Sequence, residues 1–102
     1  MQTFKNCTMD TYYRSGAEPD LDNSCEIVFE DKLIRVTYYY EGDKITYVGH
    51  EVTPGVYKLK GSDGCVACLY GTQETKVLYG GWHSPPYSGV WDIKLGASDD
   101  SK

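Results

Sequence analysis

The sequence predicts an all-β protein, an antiparallel up-and-down meander of six to seven strands, closed as a small barrel or stacked as a two-sheet sandwich, with an irregular N-terminal segment. Three observations lead there. The phrases Gly55-Val56-Tyr57-Lys58-Leu59-Lys60 and Gly89-Val90-Trp91-Asp92-Ile93-Lys94-Leu95 each set aromatic and aliphatic residues in alternation with lysine or aspartate. Successive side chains of a strand point to opposite faces, so this alternation describes strands with one buried and one wet face. Turn residues recur at short intervals, most clearly in Gly61-Ser62-Asp63-Gly64, where glycine permits positive φ and the Ser and Asp side chains bond local amides. Nearly every connection is also shorter than the roughly dozen residues that a parallel crossover needs.

Taken in order, residues 1–24 show little periodicity and include the breaker-rich Ser15-Gly16-Ala17-Glu18-Pro19-Asp20. They read as an irregular segment packed on the domain, with a short helix over Met9 to Arg14 as its candidate element. The β domain spans 25–96, with strands at about 25–29, 32–41, 44–49, 55–60, 65–70, 76–81 and 89–95. Residues 97–102, small and polar, read as a flexible tail.

Side-chain parity assigns inward faces. These carry Ile34, Val36, Tyr38 and Tyr40, then Ile45 and Tyr47, then Tyr57 and Leu59. Later strands offer Val66, Cys68 and Tyr70, then Val77 and Tyr79, then Trp91, Ile93 and Leu95. The phase over 65–70 has an alternative, because Cys65, Ala67 and Leu69 form an equally apolar set.

A single domain of 102 residues buries enough surface for a core without metals or disulfides. Ten basic against fifteen acidic residues give a net charge of −5, and the lysines are scattered singly. Nucleic acids and anionic membrane surfaces are therefore not expected as partners. No stretch approaches the roughly 20 apolar residues of a spanning helix, and the N-terminus lacks the apolar core of a signal peptide. The expected location is cytoplasmic, with secretion after removal of a leader as the alternative.

Cys65-Val66-Ala67-Cys68 has the spacing of a zinc or redox pair, with His50 and His83 as further candidate ligands. Two geometric objections set this aside. Residues three apart on a strand face opposite sides, and the meander sends the two histidines to opposite ends. No metal or cofactor is expected. Cys7 and Cys25 flank the irregular segment, and a disulfide between them would need an oxidising compartment. Without a leader the thiols are expected reduced.

Tyrosine is the compositional outlier, ten in all. Its ring packs on a sheet while its hydroxyl reaches water or a partner. The segment 78–91 adds two tryptophans, a histidine and Pro85-Pro86, and prolines lower the ordering cost of binding. In an up-and-down meander Tyr40, Tyr79 and Trp91 converge beneath the 82–88 loop. The candidate ligand-binding residues are thus Tyr40, Tyr79, Trp82, His83, Tyr87 and Trp91; the competing reading is that Trp82 and Trp91 plug the barrel end.

Tyr79-Gly80-Gly81-Trp82 ahead of Gly89-Val90-Trp91 resembles the hairpin units of MORN repeats, but has two prolines in the connection and no sustained repeat period. The meander with its closing tryptophan strand also resembles lipocalin- and avidin-type barrels, without their Gly-x-Trp near the N-terminus. Neither resemblance transfers a functional residue.

The expected function is non-enzymatic binding of a small molecule or peptide at an aromatic mouth. A second reading is a protein-interaction module using a sheet edge or the tyrosines at 12, 13 and 39. A third is a zinc protein or a small hydrolytic enzyme pairing His83 with Asp43 or Asp63.

Overall fold

The structure, a computed structural model, describes residues 1–62 and 64–98. Nine strands follow in order: β1 (Gln2–Tyr13), β2 (Asp20–Glu30), β3 (Leu33–Tyr40), β4 (Asp43–Thr53), β5 (Val56–Lys60), β6 (Val66–Thr72), β7 (Val77–Ser84), β8 (Tyr87–Lys94) and the short β9 (Ala97–Ser98). From β2 to β8 each strand pairs antiparallel with the next in sequence, and β1 pairs with both β8 and β2. That double pairing closes an eight-stranded meander barrel and leaves no open edge between first and last strands. β9 adds two residues against Phe4 and Lys5. Among the described residues there is no helix.

The all-β meander holds, as a closed barrel, with more strands than expected. The difference lies in the N-terminal segment. Residues 2–13 are a barrel strand, and Met9 to Tyr13, expected in a short helix, lie inside it. Two bulges hide its periodicity. The partners step from Phe4↔Ile27 to Cys7↔Cys25, so β1 holds one extra residue, and Asn6 takes a φ of 59° there. They step again from Met9↔Asn23 to Thr11↔Asp20, an extra residue on β2 where Asp22 has a φ of 60°. Asn and Asp tolerate this left-handed region best among non-glycine residues. Asp22 N–H donates to the Asp10 carboxylate at 2.8 Å, which pins the second bulge. Of the expected tail, Ala97 and Ser98 form β9, and 99–102 lie outside the described residues.

Parity holds for β3, β4, β5 and β8: Ile34, Val36, Tyr47, Tyr57, Leu59, Trp91 and Ile93 are buried. It is reversed for β6 and β7. Ala67, Leu69, Leu78 and Trp82 face the core, whereas Val66, Tyr70, Val77 and Tyr79 are exposed. The β6 alternative was the right one. On β7, Val77, Leu78 and Tyr79 are all apolar, so no charged residue fixes the phase; the ladder Ala67↔Trp82, Leu69↔Gly80 sets it instead.

Two aromatic groups stiffen the interior. Phe29 packs edge-on against Phe4 and Tyr57, each at 5.9 Å between ring centroids. The larger group surrounds the two tryptophans. Such pairs add about 0.5–1.5 kcal/mol each beyond the area they bury. All four cysteines are free thiols; Cys7 and Cys25 sit opposite each other across β1 and β2.

Candidate functional site

The connections 14–19, 41–42 and 85–86, with 61–62 and 64–65, gather at one end of the barrel, as the meander requires. A cavity of about 450 Å³ opens there between the strand ends, within the usual size range of small-molecule sites. Its floor is Trp91, which is only 2% exposed. Trp91 stacks on Trp82 at 6.5 Å and takes the edge contacts of Tyr47 at 5.0 Å and Tyr38 at 5.9 Å. Tyr13 meets Trp82 edge-on at 5.7 Å. Tyr40 and Tyr87 form the rim, at 47% and 63% exposure.

Backbone economy lets the two tryptophans fit. Trp82 pairs with Gly89 across β7 and β8. A Cβ on Gly89 would lie 1.8 Å from the Tyr12 carbonyl oxygen and 3.0 Å from Trp82 Cζ2. Glycine there lets β1 approach β8 closely and leaves the indole its space.

Polar side chains also line the walls, among them Thr11, Asp20, Asn23, Ser62 and Ser84. Tyr13 Oη donates to the Asp20 carboxylate. Cys65 Sγ donates to Ser84 Oγ at 3.0 Å across β6 and β7. Trp82 Nε1–H is buried and has no acceptor in the protein. Burial pushes the Tyr38 phenol up to about 12, and Tyr13 and Tyr47 are raised by burial as well. The tyrosine hydroxyls are therefore neutral donors and acceptors at ordinary pH. Among the described lining residues Asp20 is the one carboxylate, and none is a lysine, arginine or histidine.

Of the residues expected at the site, Tyr40, Trp82, Tyr87 and Trp91 line this cavity, and Tyr79 and His83 do not. Tyr79 lies on the outer face of β7 against Tyr70, ring centroids 6.0 Å apart. His83 is exposed on the same face. The reversed phase of β7 is the cause, since it turns Leu78, Gly80 and Trp82 inward. The expected loop 82–88 shrinks to the two prolines of a hairpin, because Ser84 still pairs with Tyr87. Sequence reasoning missed Tyr13, Asp20 and Cys65. Tyr13 and Asp20 border the site only because β1 closes the barrel between β8 and β2, a pairing no local pattern announces.

Among the described residues the candidate zinc ligands do not come together, and His83 does not meet Asp43. His50 pairs with Leu33 at the opposite end from His83. Cys65 lines the cavity, and Cys68, three residues on, lies on the opposite parity. Asp43 is on β4 beside Tyr40, with β5 and β6 between it and β7, and Asp63 lies outside the described residues. Comparison with protein-family models, curated proteins and solved structures finds no match to this chain.

Proposed function

We propose that this protein binds a small organic ligand in the aromatic mouth of its barrel, without catalysing a reaction on it. Trp82 carries the reading: a cavity-lining indole whose N–H is buried without a protein acceptor. An unmatched buried donor costs about 1–3 kcal/mol, and an acceptor on a bound ligand offsets that cost. Stacked and edge-packed rings beneath it supply a rigid contact surface that loses little entropy on binding.

Two-dimensional ¹⁵N NMR tests this directly, because two tryptophans give two indole N–H signals. Titration with small aromatic compounds bearing an oxygen acceptor is expected to shift the Trp82 indole signal downfield. Y40A and Y87A, at the rim, are expected to weaken binding about threefold to tenfold while retaining the fold. If no compound at millimolar concentration moves either indole signal, the reading fails.

An outer-surface reading has one observation in its favour. Tyr70 and Tyr79 pair on the exterior of β6 and β7, and Val66 and Val90 are exposed on neighbouring strands. Of the tyrosines expected to carry an interaction, Tyr12 and Tyr39 are exposed, whereas Tyr13 lines the cavity.

A further inference from the structure

We infer that the ligand of this cavity is an organic cation, an ammonium group on a small body that also carries an oxygen acceptor; this rests on the binding reading above. Three independent features converge on that class.

The first is charge. The described lining holds Asp20 and no basic residue. An anionic ligand would enter without a counter-charge, at a desolvation cost that unpaired ions rarely overcome. The second is the wall itself. Ring faces carry negative quadrupole density, and tryptophan and tyrosine are the strongest neutral partners for an ammonium group. Here Trp82, Trp91, Tyr13, Tyr38, Tyr40 and Tyr47 all border one space. The third is the approach. Glu18 and Glu41 lie in the connections at this end, and Asp20 and Asp43 begin the strands that follow them. Arg14, Lys44 and Lys60 are the basic residues at this end, leaving a small acidic excess that draws cations inward.

Asp20 and Trp82 then divide the recognition. Tyr13 joins them: its hydroxyl holds the Asp20 carboxylate, and its ring packs on Trp82. One carboxylate oxygen is fixed by the phenol, and the group keeps acceptor capacity for an ammonium N–H. The Trp82 indole N–H, buried without a protein acceptor, takes the ligand's oxygen. An amine lacking an oxygen acceptor satisfies Asp20 only, and a neutral alcohol satisfies Trp82 only.

Three probes of matched shape separate the classes: tyramine, a cation; tyrosol, its neutral alcohol; and 3-(4-hydroxyphenyl)propionate, an anion. Binding is read by calorimetry and by the two indole N–H signals at low salt. Tyramine is expected to bind about tenfold tighter than tyrosol, with the propionate weakest. D20N, which keeps an oxygen for the Tyr13 hydroxyl, should remove the preference for tyramine over tyrosol. D31N, which deletes the same charge at the opposite end of the barrel, should retain the preference. Equal binding of tyramine and tyrosol by the parent overturns the cation assignment and leaves the binding reading standing. Tighter binding of the propionate does the same. If none of the three moves either indole signal, both fall.

Discussion

Gly80 stands directly across the β7–β8 ladder from Trp91 and across the β6–β7 ladder from Leu69, so the deepest tryptophan faces a residue without a side chain. A Cβ at Gly80 would lie 1.8 Å from the Cys68 carbonyl oxygen and 3.0 Å from Leu69 Cα. Those are backbone atoms of the next strand, so β6 and β7 would have to separate.

Gly80→Ala is accordingly expected to destabilise the barrel by about 1–3 kcal/mol, a drop on the order of 10 °C in Tm. Its neighbour provides the control. A Cβ on Gly81 meets only the Gly89 carbonyl oxygen at 3.6 Å, ordinary contact, so Gly81→Ala should fall within about 0.5 kcal/mol of the parent. Thermal unfolding followed by circular dichroism decides it: equal melting of the two variants would deny the close approach.

The same strand shows what the sequence could and could not disclose. On β5 and β8, Lys58 and Asp92 interrupt the apolar residues and fix which face is wet, so Tyr57, Leu59, Trp91 and Ile93 were assignable to the core without a structure. β7 has no such marker between Val77 and Gly81, and its phase came from pairing with β6. β1 failed for another reason. The extra residue at Asn6 moves the buried set from Phe4 to Cys7 and Met9, and a reader expecting period two sees noise. The site inherits both problems. Trp91, Tyr40 and Tyr87 were legible as an aromatic mouth, whereas Tyr13 and Asp20 arrive by a closure between residues near opposite ends of the chain.

Alkaline pH should loosen this barrel. The phenols of Tyr13, Tyr38, Tyr47 and Tyr57 are all raised, burial being the largest cause in each. An unfolded tyrosine ionises near pH ~10, so above that pH the unfolded chain releases protons that the folded one retains. The contribution of these phenols is fully present below pH ~10 and is lost as pH rises toward the folded value, about 12 for Tyr38. Urea midpoints are expected to be level from pH 7 to 9 and to fall between 10 and 12. Tyr38→Phe should show a shallower fall than the parent. Lysine ionisation in the same range affects both proteins alike, so identical slopes would remove the tyrosine explanation.

Cys7 and Cys25 make the opposite prediction at lower pH. They face each other across β1 and β2, both buried. The Cys7 thiol is pushed down, chiefly because Cys25 Sγ–H bonds to its sulfur, against burial and against its own S–H bond to the Phe4 carbonyl oxygen at 3.3 Å, which work upward. The Gly96 amide assists, donating to Cys7 Sγ at 3.3 Å. As the donor in that pair, Cys25 is raised. Because the folded Cys7 ionises below the unfolded thiol, its contribution is present above the unfolded value, near pH ~8.5. It is lost as pH falls through the lowered folded value. With Cys65 and Cys68 changed to serine, absorbance at 240 nm should report one thiolate appearing with a midpoint below the ordinary thiol value in the folded protein. Cys25→Ala removes the donated S–H and should move that midpoint upward by about a unit or more. A midpoint that stays in place when Cys25 is removed would mean that the two thiols, though opposite in register, do not share a proton.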